Sequence, residues 1–438
     1  MAGLDTLSSS FTSRTLLVVI TMSNKGKEKA ASKKIEKVLI LQGGGSLGAF
    51  GCGVFKALAK SKQYGKLDIV AGTSIGGINA SIIAGSKENH PEKALEQFWQ
   101  QLAEQNNPPF VDLDRTKSVQ KSNRDSFWQP EPWMDPYYVA LSNFLANMTD
   151  DPRPESILSF SRSAIFGNER MFKPRWSPDY AFQDPQFFTP KKWTYLYDLS
   201  PLEKTLAEFV DYSKLNPNGD AHCRLIITTT NVLTAAPITF DSSKQQITSN
   251  HILATSAYPL YYFPWVEVEK GTYCWDGGLL SNTPLREVID ASPILDKEIF
   301  LVENYPKNIE TLPENLFETF HRARDIIFSD KTLHNVRMSK VITQYLRFID
   351  ELYQIIENNV EQSKLDKETR AKIKEKYRKF KQERGAEIKR ISYITREEKH
   401  PHIYENADFR METIRASIDE GEQATKKVLQ KIDNNIQG

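Results

Sequence analysis

Gly72-Thr73-Ser74-Ile75-Gly76 lies between two apolar runs, Leu67 to Ala71 and Ile78 to Ala84. Leu67-Asp68-Ile69-Val70 has the length and composition of a short buried strand, and Ile78 to Ala84 is too apolar for a surface helix. The pentad between them is G-x-S-x-G at a strand-to-helix turn. Small residues two before and two after the serine let the backbone bend sharply and hold the hydroxyl clear of it. This predicts a serine nucleophile, with Gly72 and Gly76 supporting the turn. The plainer alternative is an ordinary strand-turn-helix crossing in which Ser74 only caps the helix.

A second strand, turn and helix stand upstream. Lys37-Val38-Leu39-Ile40-Leu41 runs into Gln42-Gly43-Gly44-Gly45-Ser46-Leu47-Gly48, and Ala49 to Lys60 then shows helical spacing through Phe50, Val54, Phe55 and Leu58. Backbone N–H groups converge on negative charge at such a place. Gly43, Gly45 and Gly48 satisfy G-x-G-x-x-G, but a dinucleotide site wants an acidic residue at the carboxyl end of the next strand. Asp68 instead opens its strand, and no Gly-Lys-Ser/Thr follows to make a P-loop. In a parallel sheet both loops open at the same carboxyl edge, so Gly43, Gly44 and Gly45 would face Ser74. Their amides would form an oxyanion hole, where each preorganised donor is worth about 10²–10³ in rate.

Composition narrows the classes. With 438 residues, 39% hydrophobic and 26% charged, the chain can bury a full core and is expected to hold one large domain with appended segments. Lys+Arg 57 against Asp+Glu 56 leaves a net charge of +1, so no global field points to nucleic acid. Cys52, Cys223 and Cys274 are too scattered for a disulfide framework or a C-x-x-C zinc site. Reduced cysteines, a cytoplasmic setting and neither metal nor cofactor are the expectation. The apolar run Leu16 to Ile20 is far short of the ~18 residues of a membrane span, and residues 1–36 are expected to be a disordered leader.

From Asn106 to Pro201 the character changes. Twelve of the 22 prolines fall there, and residues 127–197 hold 17 aromatics. Proline at that density rules out a regular helix layer, so 106–201 reads as an irregular insertion: a lid or wall of an acyl-chain pocket, or an extension with its own small core. Sheet signals return at Leu225 to Thr230, Pro237 to Phe240 and, as the last evident strand, Glu298 to Val302. Between them, Gly271 to Trp275 leads into Asp276-Gly277-Gly278. One glycine would suffice for a tight turn, and two leave Asp276 open to a partner. Residues 311–438 read as a helical region. Ser363 to Arg390 carries 12 Lys/Arg against 5 Asp/Glu, which suits a solvated helix or peripheral contact with an anionic membrane surface.

Glycine loop, serine elbow and Asp-Gly-Gly, in that order and each at a strand end, resemble the patatin-like phospholipases. The likeness covers roughly Lys37 to Asn304 and looks closest to the prokaryotic branch with a further helical region. It implies a three-layer α/β/α fold with a mostly parallel central sheet and an acyl hydrolase domain over 37–310. It also implies Ser74 as nucleophile, Asp276 as its only partner, and Gly43, Gly44 and Gly45 as the oxyanion loop, with Gly277 and Gly278 supporting the aspartate. Aspartate, with a reference pKa near 3.9, is a weak base toward a hydroxyl unless burial raises it.

Many relatives have Asp-Gly-Gly-Gly-x-Arg-Gly, whereas this chain has Gln42 before the glycines and Leu47 at the arginine position. Neutral esters or lysolipids are therefore favoured over charged phospholipids. The implied reaction is lipid ester hydrolysis. The alternatives are a membrane-docking scaffold without turnover and transfer of the acyl group to an acceptor other than water. A Ser-His-Asp triad would draw on His90, His222, His251, His321, His334, His400 or His402, none of which has a strand-end context.

Overall fold

The computed structural model describes residues 34–104, 154–305, 307–309, 311–313, 316–329, 332–358, 366–383, 387–397 and 405–437. The described residues from Ile35 onward form one compact unit. The leader expected over 1–36 and the first half of the aromatic stretch lie largely outside the described residues.

Ten strands are described: β1 (Ile35–Leu41), β2 (Ile69–Gly72), β3 (Lys173–Pro174), β4 (Tyr197–Asp198), β5 (Arg224–Asn231), β6 (Pro237–Asp241), β7 (Val266–Glu269), β8 (Thr272–Asp276), β9 (Asp296–Glu303) and β10 (Ile388–Thr395). Eight build one sheet in the order β10-β9-β1-β2-β5-β8-β7, with β6 also on β5. β10, β9, β1, β2 and β5 run parallel, and β6, β7 and β8 are antiparallel additions. The mostly parallel sheet thus matches the sequence reading. β1 begins two residues earlier than its apolar run, because Ile35 and Glu36 pair with Asp296 and Lys297 before the buried stretch starts.

The central strands are apolar on both sides, as a sheet covered by helices on both faces requires. From β1, Leu39 and Leu41 join the larger cluster with helices α1 (Gly48–Ala59), α2 (Ile75–Gly85) and α3 (Pro91–Glu104). Val38 and Ile40 point the other way, into a smaller cluster with Leu285 and Val288. Register then fixes the functional edge: Leu41 lies beside Gly72 and Val302, and Gly72 beside Ile227. The glycine loop, the serine elbow and the segment after β9 leave the sheet at one level.

Two regions differ from the sequence reading. In the aromatic stretch a regular helix does form, Pro154–Phe166, because its only proline sits at the first position, where no backbone donor is lost. The short β3–β4 ribbon follows it. The C-terminal region is not wholly helical: β10 extends the sheet beside β9, so Glu298 to Val302 is not in the last strand. Its charged neighbours Lys389 and Arg390 conceal the strand, and Ile391, Tyr393 and Ile394 are what the sheet buries or half-buries. No described helix is long and apolar enough to cross a membrane.

Candidate active site

Ser74 has φ 57° and ψ −132°, a backbone conformation that L-residues rarely adopt. The crossing is too tight for side chains on either side: a Cβ on Gly72 would stand 2.2 Å from the Gly76 carbonyl, and one on Gly76 would stand 2.2 Å from the Leu41 carbonyl. The turn is fastened from β5. Ser74 N–H donates to Thr255 Oγ1 at 3.1 Å, and Thr255 donates to the Thr228 carbonyl at 2.7 Å. Ser74 is left lining a cavity.

Asp276 reaches the same edge by reversal. β5 runs past the end of β2, and β8 returns antiparallel along that overhang, pairing Asp276 with Thr229. The carboxyl is 1% exposed. Its Oδ1 accepts from Gly278 N–H at 2.7 Å, and its Oδ2 has no hydrogen-bond partner among the described residues. Burial pushes its pKa up to about 7, against the pull of the Ser74 hydroxyl and of Gly278 N–H. Both glycines after it have a use. A Cβ on Gly277 would sit 2.6 Å from the Thr228 carbonyl, and Gly278 supplies the amide.

The glycine loop lies directly on the serine, since a Cβ on Gly43 would come within 2.9 Å of Ser74 Cβ. Gly43 N–H, however, faces the Asn282 carbonyl at 3.4 Å. Gly44 and Gly45, with φ 153° and 60°, line one cavity with Ser74 and Asp276. That cavity measures about 260 Å³, and its walls are mostly apolar: Ile75, Ile78, Met171, Phe172, Leu202, Phe263 and Phe409 among others. Phe172 meets Tyr197 and Phe263 edge to face, at 5.2 and 5.5 Å between centroids. From the described part of the aromatic stretch, Phe160, Met171, Phe172 and Tyr197 line the cavity, whereas Phe182 and Phe188 are exposed. Leu47 is buried beside Tyr258, Tyr305 and Phe328.

Gln42 of the glycine loop is held by residues that carried no motif. Gln42 Nε2 donates to Thr283 Oγ1 and the Phe328 carbonyl, while its Oε1 accepts from Asn304 N–H at 2.8 Å. Asn304 Nδ2 holds the carbonyls of Gln42 and Gly43 at 3.0 and 3.1 Å. Asn406, Ala407 and Phe409 close the cavity from a segment more than 300 residues downstream, which no local pattern could reveal. No histidine is among the residues lining the cavity. His251 is occupied in a capping box with Thr248, and His321 pairs with Asp325. His400 and His402 lie outside the described residues.

A strained serine elbow, a buried carboxyl and a glycine loop thus line one apolar cavity. The family model for patatin-like phospholipases matches residues 39–289, more than half of the 438-residue chain, and the chain belongs to that family. It is 36% identical over 117 residues to a cGAMP-activated phospholipase of Vibrio cholerae, a match covering 23% of this chain and 32% of the relative. The chain thus spans about a third of that relative's length. Among solved structures it is similar to VipD from Legionella pneumophila, with 15% identity, TM-score 0.34, and 94% of this chain and 72% of that one covered. It is also similar to a chain of the heterodimeric ExoU–SpcU complex of Pseudomonas aeruginosa, with 15% identity, TM-score 0.24, and coverages of 69% and 51%.

Proposed function

We propose that the protein hydrolyses carboxylic esters of lipids through a Ser74–Asp276 dyad. The observation that carries the reading is that Ser74, Asp276, Gly44 and Gly45 line one apolar cavity. Asp276, with a pKa near 7, is a competent base at neutral pH without a histidine. It takes the Ser74 proton as Oγ adds to the ester carbonyl, and the negative oxygen falls to the Gly44 and Gly45 amides. Collapse expels the alcohol, which receives the proton from Asp276. Water, deprotonated by Asp276 in turn, then releases the fatty acid and frees Ser74. Gly43, its amide turned to Asn282, serves mainly to let the loop approach the serine.

Pocket size favours one acyl chain, and the apolar lining with Leu47 in the loop favours neutral esters or lysolipids. Peripheral lipid contact by the region 311–438 belongs to the same proposal, although its Asn406, Ala407 and Phe409 also complete the cavity of the hydrolase body that the sequence places at 37–310. The helix Lys367–Glu383 supplies exposed basic charge, and Leu316–Phe328 turns Leu316, Phe320, Ile326 and Ile327 outward. Labelling with a fluorophosphonate probe tests the dyad. It should be strong in the wild type, absent in Ser74→Ala and reduced at least tenfold in Asp276→Asn, with turnover of a chain-length series of nitrophenyl esters following the same order. A wild type that neither labels nor hydrolyses would favour a docking scaffold. Labelling without release of free acid would favour transfer to another acceptor.

A further inference from the structure

The oxyanion loop is gripped by residues well outside the stretch 39–289 that the family model matches. Gly45 can carry no side chain because the carbonyl of Asn406 would stand 2.2 Å from its Cβ, and Ser46 Oγ donates to the Glu405 carbonyl at 2.7 Å. On the other side, the Tyr305 hydroxyl would lie 3.3 Å from a Cβ on Gly44. Both supports meet one buried guanidinium. Arg324 Nη1 donates to Asn406 Oδ1 at 3.2 Å, and Arg324 lies over the Tyr305 ring at 5.8 Å. Asn406 Nδ2 donates onward to the Tyr261 hydroxyl at 2.8 Å. The guanidinium is itself fixed on the helix Leu316–Phe328 by Asp325 at 3.2 Å and His321 at 2.8 Å.

From these contacts we infer that Arg324 is a positioning residue for the oxyanion hole, holding Gly44 and Gly45 in register with Ser74 through Tyr305 and Asn406. This rests on the hydrolase reading above. Neither glycine amide is rigid by itself, because glycine in left-handed or extended conformations moves between basins readily. An amide misplaced by about an ångström costs roughly 10- to 100-fold in the chemical step while leaving substrate binding intact. A planar, two-handed donor suits this task, since one Nη holds the anchor on its own helix and the other holds the loop's support.

The test compares wild type, Asn406→Ala, Arg324→Lys and Arg324→Gln in the full chain. Asn406→Ala cuts the link to the guanidinium but leaves the Arg324–Asp325 pair in place, so it keeps the inference testable if Arg324→Gln folds poorly. Three quantities are read: kcat and KM on a soluble nitrophenyl ester, Ki of a trifluoromethyl ketone that forms a tetrahedral oxyanion on serine, and Kd of the product fatty acid. The expected result is a roughly 10- to 100-fold fall in kcat in every variant, with the ketone weakened by the same factor. In the Arg324 variants, whose altered side chain is not among the residues lining the cavity, KM should stay within twofold and fatty acid binding should not change. Arg324→Lys should fall between wild type and Arg324→Gln. Ketone affinity that stays at the wild-type value, or a loss that appears only in KM, overturns the inference and leaves the dyad standing. A wild type inactive on the ester overturns both.

Discussion

Burial gives Asp276 a pH-dependent effect on stability. A carboxyl whose folded pKa is about 7, against about 4 in an unfolded chain, favours folding in its protonated form. The folded state therefore holds a proton that the unfolded state lacks over this interval. The stabilisation is complete below about pH 4 and is lost as pH rises through 7. Asp276→Asn keeps a neutral group of the same shape in the same burial. Its stability relative to wild type should grow by about 1.4 kcal/mol per pH unit between about pH 4 and pH 7, then level off. Thermal or urea unfolding at pH 5, 6, 7 and 8.5 measures this directly, and a constant difference would mean that the wild-type aspartate is not held up by burial. Activity should move the other way. kcat/KM on a soluble ester should rise with pH to a plateau above about 7, as the fraction of ionised Asp276 rises.

At the scale of elements, the helix Met411–Gln437 meets α1 at a crossing that glycines make possible. A Cβ on Gly53 would stand 1.9 Å from the Ile418 carbonyl, and one on Gly421 would stand 2.2 Å from the Phe50 carbonyl. Lys56 fastens the same crossing to Glu96 and Glu422 at 2.6 and 2.9 Å. Gly53→Ala decides between two views of this helix by the sign of its effect. For a solvated appendage, alanine in α1 would stabilise by up to about 1 kcal/mol through helix propensity. At a backbone-to-backbone contact it should destabilise by about 1–3 kcal/mol or more, read as a lower urea midpoint.

The contrast shows what was legible in the sequence. Ser74, Asp276 and the glycine loop announce themselves because each turn's backbone demand forces glycine at fixed spacings within a few residues. Gly53 and Gly421 meet a demand of the same kind, but set by a partner more than 300 residues away, and inside helices they look like mere weak helix formers. Asn304, Arg324 and Asn406 are silent for the same reason: the carbonyls of Gln42 and Gly43 need donors, yet nothing local says which donors arrive.

At the scale of the molecule, the same long-range closure decides where the domain ends. A boundary at residue 310 suits the composition, which turns helical and charged there, and the family model ends earlier still, at 289. The sheet continues across it, since β10 pairs in parallel along seven residues of β9, from Lys297 to Glu303. The terminal helix buries Ile414, Ile418 and Ile432 in the main core, and Ala407 and Phe409 wall the cavity. A chain ending at 310 would uncover the Phe50–Val54 face of α1 and leave β9 as a bare apolar edge with Phe300 and Leu301 on its two faces, an arrangement prone to edge pairing. It should therefore be recovered mainly as aggregate by gel filtration, and any soluble fraction should fail to label with the fluorophosphonate probe. A monomeric, probe-reactive chain of 37–310 would show instead that the catalytic edge is complete without the C-terminal region. The glycine loop would then have to hold its conformation through Gln42, Asn282 and Asn304 alone, and Arg324 would lose its part in the site by the same result.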